Sequence, residues 1–564
     1  MSGSASPAAP NPFHQSILTF LSGGVEDARK RFDAKTGRFL APNGGWAVTN
    51  QDIIYPLALL YATPGTKWHN DASVLELIQR GGDALRDWQD DTGRVEFIKI
   101  DGSLWGKTYM CWSMYHWVEA LGLMRNHLDP QRRQRWEEGL RLAYFGVLAE
   151  LGENPRIHNI PAWHAMGMTR AGQLFGEQRL LDGGKRIIHR IAATQVEDGY
   201  WAEGGGPTTL YSLVYVHALG LYYFFTHDQS ALPYLQRALE FHVHFTYPDG
   251  AQVETVDGRV RYHGGVATMG LPGFAPFERG RAFIRHQLDC LHEHSPNGGL
   301  NTHFADIFQH CLADTPKADL PQQQKLYTYI HRNHAMMRRQ GPWYTCCSGY
   351  LTATDKLASN ERNRWYLDRQ NYLSVWHEKA GLVIGGGNSK GQCAFSTFEV
   401  VDGRVIRIQA DSAQLEQSPE RDTLRLTYGQ TVCEVSVSAL DDRRMEITFR
   451  ATGAASDRIR AAFTLPHVAG KPLSRFGSDA AATPLDPLRS MELGWPAGDT
   501  KTERWARIGQ LRLDLPPESA LDWPEYPFNP YAINNMSEAN EAVAIVSTSL
   551  SADAKAKTFL LTID

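Results

Sequence analysis

The chain has 564 residues, of which 42% are hydrophobic and 21% charged, and this composition indicates a soluble globular protein of two or three domains. The formal net charge of -5 excludes an extensive basic surface, so neither nucleic acid nor a membrane is expected as a partner. No apolar run reaches the length of a membrane-spanning helix. Residues 1–12 lack a charged and an apolar signal region and are predicted to form a flexible tail. The protein is expected to be periplasmic or secreted if a signal peptide has been removed, and cytoplasmic otherwise.

Aromatic residues and histidine are abundant, with 15 Trp, 22 Tyr and 21 His. Flat amphipathic rings stack on sugars as well as packing in cores, so this content is compatible with a carbohydrate ligand. The seven cysteines include no CxxC pair, and Cys346 and Cys347 are adjacent. An odd number without paired spacing predicts buried free thiols rather than a disulfide framework.

Residues 13–315 show a repeated helical pattern. Segments with apolar residues three and four positions apart begin near Gln51, Lys107, Asn159 and Pro207, roughly fifty residues apart. Each is apolar nearly all round and is followed by a second helix with a charged face. Because a helix that is apolar all round must be buried, the first helix of each pair is predicted to lie inside and the second outside. Two concentric layers of this kind make an (α/α) toroid.

The loops that lead into the predicted inner helices share a composition. GRFLAPNGGWAVTNQD, VEFIKIDGSLWGKT, GENPRIHNIPAW and EDGYWAEGGGPT each place an aromatic residue beside glycine or proline and a polar group. A helix start presents unpaired N–H groups and the positive end of the helix dipole. The repeat predicts that these starts line one rim and form a cleft for an anionic or hydroxyl-rich ligand.

After the polar linker ADTPKADLPQQQ, near residue 320, the pattern changes to short alternating runs broken by turn residues. Many short strands without intervening helices predict a large antiparallel sheet or sandwich. The predicted fold class is α+β multidomain: an N-terminal incomplete (α/α) toroid over residues 13–315, followed by an antiparallel β-sandwich domain over residues 322–564.

Two segments carry a resemblance to a known family. RIHNIPAWHAMGMTRAGQLFG, residues 156–176, and DGYWAEGGGPTTLYSLVYVHALGLYY, residues 198–223, resemble motifs of the heparinase II/III-like and oligoalginate-lyase superfamily of polysaccharide lyases. The resemblance implies β-elimination on a uronic-acid-containing glycan, with Asn159 holding the substrate carboxylate and Tyr211 moving the proton. Many relatives have histidine directly after that asparagine, whereas this chain has Ile160, flanked by His158 and His164.

The residues at these positions suit an elimination. A base must remove the weakly acidic proton on C5 of the uronic acid while fixed donors neutralise the neighbouring carboxylate. Asn159 is a suitable donor, as is His158 or His164 if protonated. Tyr211 is suited to act as base, acid or both, and His263, in RYHGG, is a second base candidate.

Five further residues are predicted to bind substrate. Trp163 and Trp201 would stack on sugar rings, or would close the core over the loops instead. Glu203 follows the DG turn and would bind substrate or cap the helix that follows. Arg339 would meet an acidic sugar, or would be an ordinary surface arginine. Tyr215 lies one helical turn after Tyr211, in an aromatic stripe that is mostly core.

Structural interpretations stand beside the catalytic ones. Asn159 would also serve as an N-cap, His164 as a core histidine, Tyr211 as a packing residue and His263 as part of a turn. A zinc ion held by His331 and His334 near the adjacent cysteines is weakly indicated, so no cofactor is expected. No pattern indicates an oligomeric state.

Two other classes of function remain open at this point. A toroid glycoside hydrolase would need two carboxyl groups flanking the scissile bond, and the candidates are Asp198 with Glu203 or Asp90 with Asp101. A glycan-binding protein without catalytic activity would also explain the aromatic loops. The expected partner is an acidic poly- or oligosaccharide substrate.

Overall fold

The computed structural model divides into two compact units. We call Met1–Gln195, Tyr211–Leu239 and Thr268–Ala318 the helical unit, and Val196–Leu210, Glu240–Ala267 and Asp319–Asp564 the β unit. The structure describes the following residues: 11–99, 102–203, 206–259, 264–311, 316–352, 365–385, 387–453, 458–475, 482–495, 504–532 and 534–564.

The helices occupy the first part of the chain. They are α1 (Pro12–Gly23), α2 (Val25–Arg31), α3 (Ile54–Ala62), α4 (Ala72–Trp88), α5 (Cys111–Met124), α6 (Pro130–Leu151), α7 (Asn159–Phe175), α8 (Gln178–Ala192), α9 (Thr209–Thr226), α10 (Leu232–His244), α11 (Leu271–Phe274), α12 (Glu278–His294) and α13 (Thr302–His310). A 3-10 segment, Val48–Ile53, leads into α3. Two short hairpins interrupt the helices: β1 (Phe32–Asp33) with β2 (Arg38–Phe39), and β3 (Val95–Ile98) with β4 (Leu104–Thr108). Within these ranges no helix combines the length and apolar character needed to cross a lipid bilayer.

The helices form the two predicted layers. Helices α3 and α5 bury nearly every residue and α7 buries most of its residues, whereas α4 and α8 bury one face only. α3 packs on α5 and α5 on α7, while α4, α6 and α8 each pack on the inner helix that precedes them. α13 packs on α3, which brings the end of the helical unit back to its first inner helix. The toroid predicted from hydrophobic periodicity is confirmed.

Several helix boundaries follow from local sequence. Asp71, Asp129 and Asn301 accept hydrogen bonds from the first turns of α4, α6 and α13, and Pro130 begins α6. Gly176, at φ 68°, ends α7 in the left-handed conformation that glycine adopts without strain.

Contacts at two levels show that α5 and α7 run parallel. Near their starts the rings of Trp112 and Trp163 lie 4.4 Å apart, and further along Arg170 of α7 bonds to Glu119 of α5 at 2.6 Å. Both contacts advance along the two helices in the same direction. The helices therefore begin at the same end of the helical unit.

The pair α7 and α9 has the same arrangement. Trp163, in the second turn of α7, stacks on His217, at the middle of α9, with a centroid distance of 4.9 Å, and near the ends of both helices Gln173 donates to the carbonyl of Phe225 at 2.6 Å. The starts of α5, α7 and α9 thus share one end of the helical unit, as the fifty-residue repeat predicts. We call this end the rim.

The strands of the β unit follow. They are β5 (Leu326–His331), β6 (Ala335–Gln340), β7 (Trp343–Ser348), β8 (Leu373–His377), β9 (Gly381–Ile384), β10 (Phe398–Asp402), β11 (Val405–Arg407), β12 (Ser412–Gln417), β13 (Asp422–Tyr428), β14 (Thr431–Ala439), β15 (Arg444–Gly453), β16 (Arg458–Leu465), β17 (Pro472–Arg475), β18 (Thr483–Pro484), β19 (Met491–Trp495), β20 (Trp505–Ile508), β21 (Leu511–Asp514), β22 (Ser519–Glu525), β23 (Val543–Leu550) and β24 (Lys557–Ile563). The strand orders are β5-β6-β7-β8-β9, β11-β10-β16-β23-β22-β19 and β12-β13-β14-β15-β24-β21-β20-β17-β18.

The six- and nine-stranded sheets face each other. The ring centroid of Phe463, in the six-stranded sheet, lies 5.1 Å from that of Phe559 and 6.4 Å from that of Phe449, both in the nine-stranded sheet. Alternating buried residues along β13, β14 and β15 fill the space between the sheets. The predicted antiparallel sandwich is confirmed.

Two segments from the helical part of the sequence belong to the β unit, namely Val196–Leu210 and Glu240–Ala267. Phe241, Phe245 and Tyr247 pack with residues of the five-stranded sheet, and Gln322 donates to the carbonyls of Val243 and Thr246. The loop that precedes α9 and the long insertion after α10 are therefore held by the β unit.

Candidate active site

His158 and Asn159 lie at the start of α7, on the rim. His158 occupies the N-cap position without making a side-chain capping bond, and Asn159 is the first residue of the helix. The two side chains are hydrogen-bonded to each other, and burial lowers the pKa of His158. Both remain partly exposed. Asn159 is therefore not the N-cap residue, and its amide lies beside the positive end of α7.

His164, one turn further along α7, is buried. Burial lowers its pKa to about 3, with a smaller contribution from the nearby His158. The imidazole is hydrogen-bonded to the backbone of Tyr109, and its Nδ1 has no hydrogen-bond partner among the described residues. His164 is consequently uncharged at neutral pH, which removes it as a cationic partner for a carboxylate.

Tyr211 lies in the first turn of α9 and is partly exposed. Helices α7 and α9 are adjacent and parallel, and they begin at the same end of the helical unit. Asn159 and Tyr211 therefore both lie on the rim. Tyr215, one turn deeper, is almost completely buried and serves packing rather than substrate contact.

Below the rim is a layer of buried rings. Trp163 is completely buried and stacks on His217, so it lies within α7 and not in a loop that would offer its face to a sugar. His217 lies 3.0 Å from Asp306 through Nε2 and accepts the N–H of Gly270 on Nδ1 at 3.2 Å. These two bonds fix the tautomer with the proton on Nε2. Of the two interpretations of Trp163, packing is the one that its position supports.

Two further histidines reach this layer. The ring of His303, in the first turn of α13, lies 5.1 Å from that of His217, and its Nδ1 lies 2.8 Å from Oγ1 of Thr268. His116 of α5 lies 3.2 Å from Asp52 through Nδ1. Sequence reasoning missed both, although His116 stands in the predicted inner helix close after Lys107.

In the β unit, Glu203 forms a largely buried ion pair with Arg259 at 2.8 Å. The Arg259 guanidinium also lies 3.2 Å from the hydroxyl of Tyr531 and 5.4 Å from the ring of Trp365. Glu203 is therefore a paired carboxylate. Sequence reasoning missed Arg259, which is 56 positions away from its partner.

Asp198 is also hydrogen-bonded within the β unit. Its carboxylate lies 2.6 Å from the Tyr350 hydroxyl and 2.6 Å from Nδ1 of His334, and its backbone carbonyl lies 2.9 Å from Nε2 of His331. Both histidines of the weakly indicated zinc site thus contact Asp198. Within the described ranges no group of three or more residues is suited to hold a metal ion.

The carboxyl pairs required for hydrolysis gain no support from these contacts. Asp198 and Glu203 are both bonded within the β unit. Asp90 accepts hydrogen bonds from the backbone of its own turn and from Lys107. The pKa of Asp90 is lowered, mainly by the hydrogen bond from the Thr92 hydroxyl. Asp101 lies outside the described residues.

The remaining predicted site residues fall in two groups. Trp201 and Arg339 are buried, and Arg339 donates to the carbonyls of Gln322 and Gly341 within the β unit. Arg339 is therefore not a surface arginine, and its guanidinium is bonded within the β unit. His263 lies outside the described residues.

No protein-family model matches the chain, and no curated protein matches it. Several solved structures are similar to this chain. A Paenibacillus xanthan lyase aligns with a TM-score of 0.56 and 10% identity over 98% of this chain and 57% of its own. The chondroitin AC lyase of Streptomyces coelicolor A3 in complex with chondroitin sulphate aligns with a TM-score of 0.54 and 12% identity, over 100% of this chain and 81% of its own.

The chain has the fold of polysaccharide lyases. Heparinase III is a further similar structure, with a TM-score of 0.51 and 12% identity over 100% of this chain and 87% of its own. This chain spans little more than half the length of the xanthan lyase that it matches. At these identities the likeness establishes the architecture, and it confirms the resemblance in fold that the two sequence motifs indicate.

Proposed function

We propose that this protein is a polysaccharide lyase that cleaves a uronic-acid-containing glycan by β-elimination and leaves an unsaturated uronosyl end. The observation that carries the proposal is the position of Asn159 and Tyr211 at the starts of adjacent parallel helices, in a chain with the fold of polysaccharide lyases. An amide donor and a phenol on one rim are the groups that such an elimination needs.

Asn159 and His158 are assigned to the substrate carboxylate. Their side chains are bonded to each other beside the start of α7, which lacks a side-chain cap and so presents its first N–H groups. An anion at this position is stabilised by the helix dipole and by two neutral donors. His158 is preferred to His164 because His158 is partly exposed at the start of α7, whereas His164 is buried.

Tyr211 is assigned to the proton transfer. The C5–H bond breaks, its electron pair forms the C4–C5 double bond, and the C4–O4 bond breaks as the leaving oxygen takes up a proton. The phenol of Tyr211 is the group of the rim that can accept the first proton as phenolate and return it as phenol. His263 keeps its role as a proposed assisting base.

The substrate is proposed to be an acidic poly- or oligosaccharide, because the assigned donors are matched to a carboxylate. The test is a panel of uronic-acid glycans, including heparan sulfate, chondroitin sulfate, hyaluronan, alginate and xanthan, followed by ultraviolet absorbance. Elimination produces a double bond conjugated with the carboxylate, so at least one glycan should give a rising absorbance. If chains are shortened and every new end is saturated, the proposal fails.

A further inference from the structure

Arg369 is a buried arginine that forms no ion pair with any carboxylate in the described part of the chain. Its side chain lies in the β unit and the residue is only 4% exposed. Nη2 donates to the carbonyl of Pro207 at 2.5 Å, and Nη1 has no hydrogen-bond partner among the described residues. By contrast Arg338, which is also buried in the same unit, is paired with Asp422 at 2.7 Å.

Two features of Arg369 are energetically unfavourable: its charge is buried and its backbone is strained. Removing a guanidinium from water is unfavourable unless a charge compensates it; burial lowers the pKa of Arg369, and the nearby carboxylate of Asp257 offsets only part of this effect. The residue also adopts φ 50°, in the left-handed region that residues other than glycine rarely occupy. Strain that persists in a fold is a reason to look for a function at that position.

Two loops are shaped around the guanidinium. Gly206 lies in the loop before α9 and Gly258 in the long insertion, and a Cβ atom at either position would overlap the guanidinium of Arg369. The side chain therefore occupies space that both loops leave open. Any larger residue at these two positions would have to displace it.

The same loops are hydrogen-bonded to each other and to two neighbouring loop segments of the β unit. The N–H of Gly258 donates to the carbonyl of Pro207 at 3.0 Å, and the N–H of Leu367 donates to the carbonyl of Gly258 at 2.7 Å. Asn388 donates from Nδ2 to the carbonyl of Asp257 at 3.0 Å. Arg369 thus stands where the two loops meet.

The insertion also fixes the start of α9. Oδ2 of the buried Asp257 accepts hydrogen bonds from the N–H and the hydroxyl of Thr209, at 2.5 and 2.7 Å, and Oδ1 accepts the N–H of Arg259 at 2.6 Å. A carboxylate at this position stabilises the helix start. Tyr211 follows Thr209 by two residues, so the same contacts set where the chain begins the turn that carries Tyr211.

We propose that Arg369 is a positioning residue, which holds Pro207 and Gly258 together and thereby fixes the start of α9 two residues before Tyr211. This inference rests on the proposed role of Tyr211 in proton transfer. Arg369 itself touches no reacting atom. Its effect is on the placement of the phenol, which must be accurate because a displacement of about 1 Å can cost on the order of a hundredfold in rate.

The first variant is Arg369→Lys, which keeps the charge but loses the second donor nitrogen and the planar shape. Hydrogen–deuterium exchange of the full chain should become faster at residues 206–210 and 257–259. On the glycan that the wild type cleaves, kcat should fall about tenfold or more, while KM changes less than about threefold. Arg338→Lys is the matched control and should leave exchange in both loops and kcat within about twofold of the wild type.

A second variant changes Gly258, the residue against which the Arg369 guanidinium packs. Gly258→Ala should displace the guanidinium and reproduce the faster exchange at residues 206–210 with the same loss of kcat. Gly494→Ala is its control, since a Cβ atom there meets open space, and it should leave both quantities unchanged. This pair keeps the test available if Arg369→Lys fails to fold.

Unchanged exchange at residues 206–210 in both Arg369→Lys and Gly258→Ala would overturn the inference. Faster exchange with an unchanged kcat would overturn it as well, because a purely structural role would explain that result. If the wild type forms no unsaturated product from any glycan, the proposed lyase function fails instead. The exchange measurement then still decides whether Arg369 holds the two loops.

Discussion

His217 and Asp306 form a completely buried pair in the helical unit, with 3.0 Å between Nε2 and Oδ2. The other carboxylate oxygen accepts the hydroxyl of Tyr115 at 2.6 Å, so one acid joins α13 to both α5 and α9. The ring of Trp163, from α7, stacks on the imidazole of His217. The helices whose starts make the rim are thus joined immediately below it.

Removing this acid should destabilise the helical unit. Asp306→Ala leaves a buried imidazole N–H and a buried phenol without their acceptor, and this costs about 3–5 kcal/mol in the free energy of unfolding. The measurement is urea denaturation followed by circular dichroism. Asp289→Ala is the control, because its ion pair with Arg285 lies on an exposed helix face and should contribute less than about 1 kcal/mol. Equal losses for the two variants would contradict the role of Asp306.

His164 should make stability depend on pH. Its pKa is about 3 in the folded protein, below that of an unfolded histidine, so the unfolded state binds the extra proton between these values. The folded state is therefore favoured above the unfolded pKa and loses stability as pH falls towards 3. His164→Gln should reduce the slope of unfolding free energy against pH by about 1.4 kcal/mol per pH unit between pH 4 and 6. An unaltered slope would show that His164 does not titrate as its burial requires.

Tyr211→Phe removes only the phenol oxygen from the rim. If this oxygen moves the proton, kcat should fall about 10²- to 10⁴-fold, with thermal stability near that of the wild type. The control is Tyr223→Phe, at the other end of α9, which should retain kcat within about threefold. Full activity in Tyr211→Phe would reject the proton-transfer assignment, even for an enzyme that is a lyase.

Asn159→Ala should remove a donor to the developing charge. We expect kcat to fall about 10²- to 10³-fold, as when one donor is lost from an oxyanion site. Asn159→Asp should be worse than Asn159→Ala, because its carboxylate would repel that of the substrate. The comparison is made by steady-state kinetics on one uronide, and a more active Asn159→Asp would contradict the assignment.

The layered part of the fold could be predicted because its signal is local. α5 and α7 are apolar nearly all round, which a sequence displays directly, and Asp129 with Pro130 marks the start of α6. The strand patterns of β13 to β15 are equally explicit. Such periodicities depend on neighbouring residues and do not require knowledge of distant contacts.

The contacts of the candidate site residues depend on distant pairs and could not be predicted in the same way. Glu203 is satisfied by Arg259, and Asp198 by Tyr350, at separations of 56 and 152 residues. Arg369 stands outside any periodic run, so nothing local marks it as a buried cation. The burial of Trp163 follows from its position within α7, between α5 and α9, whereas the sequence pattern places it at the end of the loop that leads into this helix.

The central claim is elimination by the groups of the rim, and its most direct test is product analysis in H₂¹⁸O. The protein is incubated with the uronide that it degrades, and both new ends are examined by mass spectrometry and ultraviolet absorbance. Elimination adds no water, so the account predicts an unsaturated uronosyl end and no ¹⁸O introduced by bond cleavage. A saturated end with one ¹⁸O incorporated per bond cleaved would identify a hydrolase and contradict the account.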